Sequence, residues 1–131
     1  MPAASEGRRY NTLQTHYIEK VVTSADTGTT VNIGITPPGA HVINAGIVVT
    51  TAFAGGSPTI GIGTTADADG LASAVSVTSA GMKAADDLAT SDDLYSTGDT
   101  TYTATLSASM TAGRALVFVE YIPADPAEAP A

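Results

Sequence analysis

His41-Val42-Ile43-Asn44-Ala45-Gly46-Ile47-Val48-Val49-Thr50-Thr51-Ala52-Phe53 is the stretch on which the fold turns. Ile43, Ala45, Ile47, Val49, Thr51 and Phe53 recur at every second position. A period of two lays side chains on one face of a strand, whereas a helix face repeats every ~3.6 residues. The run therefore predicts a long β-strand, with Gly46 as a candidate bulge or bend.

The same period continues on both sides. Pro37-Pro38-Gly39 closes an earlier strand, Thr29 to Ile35, in which Val31, Ile33 and Ile35 alternate. Proline cannot donate to a ladder, so the strand stops there. Before it, the turn Asp26-Thr27-Gly28 follows a strand over Thr12 to Thr23. That strand carries His16, Ile18, Lys20 and Val22 on one face, and Tyr17, Val21 and Thr23 beside Glu19 on the other. Downstream, Ala54-Gly55-Gly56-Ser57-Pro58 turns into Thr59 to Gly63, and Leu71 to Thr78 alternates again. Met82 to Gly98 is acidic and loses the alternation, which predicts a surface loop with one helical turn around Lys83 to Leu88. Thr100 to Ser107 sets Tyr102, Ala104 and Leu106 against threonines. Arg114 to Ile122 closes the series, with Leu116, Phe118 and Ile122 on one face and Val117, Val119 and Tyr121 on the other. A strand apolar on both faces belongs in the middle of a sheet or against another subunit.

Seven to eight short strands with turn signals between them predict an all-β chain, an antiparallel β-sandwich or jelly roll. Residues 1–11 read as a flexible N-terminal arm, 12–123 as the β-sandwich domain, and 124–131 as a disordered Pro/Ala/acidic tail. The start, Met1 to Arg9, lacks the apolar stretch of a signal peptide. The longest apolar-leaning run, Ala45 to Ala54, falls far short of the ~20 residues that span a bilayer, so no membrane partner is expected.

Composition narrows the function. A chain of 131 residues suits one domain. Leu, Ile, Val and Phe supply only about a fifth of it, a thin core that burial between subunits would supplement. The absence of cysteine removes disulfides, thiol nucleophiles and thiolate metal sites. Five basic residues against 13 acidic ones, a net charge of −8, weigh against wrapping a phosphate backbone, so no nucleic-acid partner is expected.

No motif for catalysis emerges. His16 and His41 lie in no ligand spacing, and no GxSxG is present. Gly61-Ile62-Gly63 lacks the lysine and the helix of a phosphate loop. Asp67-Ala68-Asp69-Gly70 resembles part of a calcium loop, but Thr65 and Ser76 occupy its first and last ligand positions, and a plain turn is the better reading. No catalytic residue, cofactor or metal is therefore expected. The segment from Asp67 to Asp99 holds seven aspartates and one lysine, whereas residues 1–23 hold Arg8, Arg9 and Lys20 against Glu6 and Glu19. This asymmetry would let the arm dock on an acidic neighbour. The candidate contact residues are Arg8, Arg9 and Tyr10 in the arm, and Val117, Val119 and Tyr121 in the last strand.

Pro37-Pro38-Gly39-Ala40 leading into a long Val/Ile strand, then Ile60-Gly61-Ile62-Gly63-Thr64, the Asp69-Gly70 turn, and Thr111-Ala112-Gly113-Arg114 feeding Leu116 to Ile122 form a pattern. Over roughly residues 29–123 it resembles the small virion proteins of tailed bacteriophages, in particular capsid decoration (cement) proteins. The resemblance implies a β-sandwich or jelly roll, commonly a homotrimer, seated on the capsid exterior with the major capsid protein as partner. It implies no catalytic residues. The rival expectation is a virion fibre, tail or neck component that binds a host glycan or receptor. The lack of Trp, with 5 Tyr and 2 Phe, leaves few rings for stacking on sugars and weakens that rival.

Overall fold

β-Branched and aromatic side chains at alternate positions keep the backbone extended, and pairing sorts the segments into two antiparallel sheets. The computed structural model describes residues 15–88, 91 and 93–123. The strands are β1 (His16–Thr23), β2 (Thr30–Thr36), β3 (His41–Ala54), β4 (Thr59–Thr64), β5 (Ala72–Ser76), β6 (Gly81–Ala84), β7 (Thr100–Leu106) and β8 (Ala112–Ile122). A 3-10 turn, Ser24–Asp26, follows β1. One sheet runs β1-β8-β3-β6 and the other β2-β7-β4-β5. The pairing is nested: β1 with β8, β2 with β7, β3 with β6, β4 with β5. The protein is an eight-stranded antiparallel β-sandwich.

The twice-apolar strand β8 does lie centrally, between β1 and β3. Its inward residues Ala115, Val117, Val119 and Tyr121 are buried. In register beside them stand Val49, Ile47 and Ala45 of β3. Ile60, Ile62, Tyr102, Ala104 and Leu106 of the second sheet complete the same core.

Four expectations give way to the structure. In β2 the register shifts between Asn32 and Gly34, so Ile33 is buried while Ile35 is exposed. In β3 a shift between Val42 and Asn44 turns Val42 inward and Ile43 outward, and another after Val49 leaves Thr51 outside before Phe53 returns to the core. One extra residue reverses the face of every side chain beyond it, which simple alternation cannot foresee. Gly46 itself sits at no bulge; it pairs in register with both Phe118 and Ala84. Finally, no helical turn forms around Lys83 to Leu88: Lys83 and Ala84 end the short edge strand β6, which lies along Gly46 to Val49 of β3, and residues 85–88 continue as bends and a turn. Four residues are too few to display a period.

The segment after β6 is stapled to the sandwich. Val42 donates its N–H to the Leu94 carbonyl at 2.7 Å, and Ser96 donates to the Ala40 carbonyl at 2.9 Å. The Ser96 and Thr36 hydroxyls, both buried, lie 2.7 Å apart. Tyr102 reaches out of the core and donates its hydroxyl to the Asp93 carbonyl at 2.8 Å. Burial pushes the Tyr102 phenol above its ordinary value of 10.0; a hydrogen bond with Ser96 opposes the rise and the Asp93 charge adds to it. The unfolded chain ionises this group near pH 10 while the folded chain resists. Its contribution to stability is thus intact below about pH 10 and is lost as pH climbs through the raised folded value. Tyr102→Phe is expected to cost about 1 kcal/mol at neutral pH through the lost hydrogen bond. It should also flatten the alkaline limb of a urea-denaturation series; identical limbs in the two proteins would refute this role.

Candidate functional site

The two histidines serve packing. His16 lies against the Tyr121 ring at 5.8 Å between centroids, and His41 against Tyr95 at 4.7 Å. Among the described residues no group of three or more His, Asp or Glu side chains converges as a metal site. Asp67 and Asp69 stand exposed on the loop between β4 and β5. There Asp67 donates its N–H to Thr64 Oγ1 at 3.1 Å, and its carbonyl accepts from Thr64 at 2.8 Å and Gly70 at 3.1 Å. The loop is a hydrogen-bonded turn. Asp93 also approaches it: the Asp67 and Asp93 carboxylates flank Gly70 where a Cβ would otherwise stand. The Asp93 Oδ2 is buried without a hydrogen-bond partner. The pair brings two carboxylates together and, among the described residues, no third ligand.

The surface best suited to recognition is the outer face of the β1-β8-β3-β6 sheet. Strand geometry dictates it: with Ala115, Val117, Val119 and Tyr121 turned inward, Arg114, Leu116, Phe118 and Glu120 of β8 turn outward. In register beside them lie Tyr17, Glu19 and Val21 of β1 and Asn44, Gly46 and Val48 of β3. Met82 of β6 extends the face beyond Val48. A Cβ on Gly46 would stand 3.2 Å from Phe118 Cζ and 2.8 Å from the Lys83 carbonyl oxygen. Phe118 therefore lies across Gly46, and only glycine leaves it that room.

The face is apolar and largely uncovered. Tyr17 is 62%, Met82 56% and Val21 43% exposed, and Val48, Leu116 and Phe118 are half-buried. Side chains of β1, β3, β6 and β8 line a shallow groove across it. Lys20 and Lys83 fall on the opposite parity, in register with Val117 and Ile47. Arg114 is thus the face's cation among the described residues, at the end opposite Glu120.

Of the contact residues expected from sequence, Arg8, Arg9 and Tyr10 lie outside the described residues. Val117 and Val119 are fully enclosed in the domain's own core and Tyr121 is 9% exposed. A folded subunit cannot offer the two valines to another. Leu116 and Phe118 hold the outward side of the same strand, and a signal for that was present. Arg114 and Glu120 share their parity, and charges mark the solvent side of a strand.

No family model and no curated protein matches the sequence. Among solved structures, the fold is similar to a chain of the cyanophage Pam1 capsid asymmetric unit, with a TM-score of 0.63 at 16% identity over 84% of this chain and 85% of that one. It is also similar to a chain of the acid-stable capsid of Helicobacter pylori bacteriophage KHP30, with a TM-score of 0.63 at 14% identity over 82% and 86%. A chain of the Ralstonia phage GP4 capsid gives 0.64 at 16% identity over 84% and 83%.

Proposed function

We propose that this protein is a non-enzymatic structural component of a phage virion, one that binds the outside of the assembled capsid and stabilises the shell as a decoration or cement protein. The observation that carries the reading is the eight-stranded sandwich itself, shared over most of its length with chains of three phage capsid structures. The nested pairing of β1 with β8 through β4 with β5 supports a jelly roll. The major capsid protein is the partner in this reading, and three copies form the unit on the shell. A net charge of −8 favours a position away from packaged DNA.

The arm, Met1 to Tyr10, provides the contact beyond the domain, with Arg8 and Arg9 paired to carboxylates of a neighbouring capsid subunit. Ordering such a segment costs roughly 1–2 kcal/mol per residue, which three arms on one platform offset by avidity. Deleting residues 1–10 is expected to leave a folded domain that co-sediments poorly with capsids. Arg8→Ala with Arg9→Ala should weaken binding and reduce its salt sensitivity. A truncated protein that saturates capsids at the same concentration would remove the arm from the reading. A full-length protein that ignores capsids yet is retained on a glycan array would replace it with the fibre or tail alternative.

A further inference from the structure

Between Ala112 and Ile122 at its two ends, the outward residues of β8 read Arg114, Leu116, Phe118, Glu120: a cation, two apolar groups, an anion. From this order we infer that the outer face of the β1-β8-β3-β6 sheet docks on the same face of a second copy, the two β8 strands crossing antiparallel about a two-fold axis between Leu116 and Phe118. A two-fold contact sets the same patch against itself, so the patch must be self-complementary. With the axis lying across the strands, Arg114 of one copy meets Glu120 of the other, twice. Leu116 meets Phe118, and Val48 meets the ring that lies over Gly46. With the axis along the strands, Arg114 would face Arg114 and Glu120 would face Glu120, so the charges select the first arrangement. Stacked sheets lie ~10 Å apart, a gap that an Arg and a Glu side chain together can span.

The exposure of Tyr17, Val21 and Met82 supports an apolar seat of this kind. Glu19, on the edge strand, stays at the wet rim. At ~3.3 Å per residue and ~4.8 Å between strands, the face from Arg114 to Glu120 across four strands measures about 20 Å by 15 Å. That planar footprint, about 300 Å² per copy, is smaller than a stable interface needs, so the association belongs to the weak, transient class, micromolar or weaker.

The contact is a property of the free protein, independent of any capsid. Sedimentation velocity over roughly 1–100 μM, the range that brackets such an affinity, should show an even number of copies. Arg114→Glu alone and Glu120→Arg alone should each weaken association at least ~10-fold, and the double exchange should restore it. Circular dichroism checks that each variant is folded. A second measurement avoids charge reversal: because the chain has no cysteine, Arg114→Cys mixed with Glu120→Cys should cross-link through a short bis-maleimide, and neither variant alone should do so as efficiently. A monomeric wild type, a double exchange that fails to restore association, or cross-linking no better in the mixture would each overturn the contact. So would a three-copy species indifferent to Arg114→Glu, which would support the trimer of the capsid reading at the same time.

Discussion

Val117→Asp is expected to abolish the folded domain. The side chain is fully buried on the central strand, in register with Ile47 of β3 and Lys20 of β1. A carboxylate placed there would lose its water, and Lys20 in register beside it stands exposed at the edge strand, so the cost is still several kcal/mol. Domains of this size have only about 5–15 kcal/mol to lose. The variant should be insoluble or show a far-UV spectrum without the β signal. Val117→Ala, which removes two methyl groups, should remain folded at a cost of about 2 kcal/mol. Val21→Asp, on the open face of the edge strand, should keep its fold as well. A soluble, cooperatively melting Val117→Asp protein would contradict the inward assignment of β8.

Gly113→Ala carries the second large effect. Gly113 follows the turn into β8 with φ at 133°, a conformation that side chains rarely adopt. Its missing Cβ is also where the Phe53 ring and backbone pass, with Phe53 Cα 2.8 Å from the position a Cβ would take. Strain of about 1–3 kcal/mol adds to a similar penalty for overpacking a buried aromatic. Together they should lower the melting temperature by roughly 10 °C or more for a domain of this length. Gly98→Ala, where a Cβ would meet nothing within 4 Å, is the matched control and should shift it little. Equal shifts in the two variants would mean that Phe53 yields freely.

The strands were legible because threonine, valine and isoleucine repeat at a period that one backbone conformation explains. Their faces were less so. Ile35 and Ile43 look like core from sequence and end in solvent, because a single unpaired residue in β2 and another in β3 reverse the alternation. Bulges arise from how two strands meet, and no single strand encodes that. β6 escaped notice because it takes its identity from β3, against which it pairs for four residues. On β8 both faces are apolar, and hydrophobicity alone cannot rank Val117 against Phe118. The deciding facts are Arg114 and Glu120, which share a face with Phe118. The approach of Asp93 to Gly70 was invisible for a different reason: it depends on a loop held by Tyr102, Ser96 and the start of β3.

The nested pairing has a consequence for how the chain reaches this state. β1 lies at the edge of its sheet and pairs with β8, so residue 16 waits for residue 121. During synthesis β8 is the last of these eight strands to leave the ribosome, and it is also the strand that β1 and β3 both need. The domain therefore closes only after translation has passed residue 122, with the β8-facing edge of the long apolar strand β3 open until then. Such long-range closure is slow, of the order of milliseconds to seconds, and it exposes unpaired strands meanwhile. Refolding yield should accordingly fall with protein concentration more steeply than native stability would suggest.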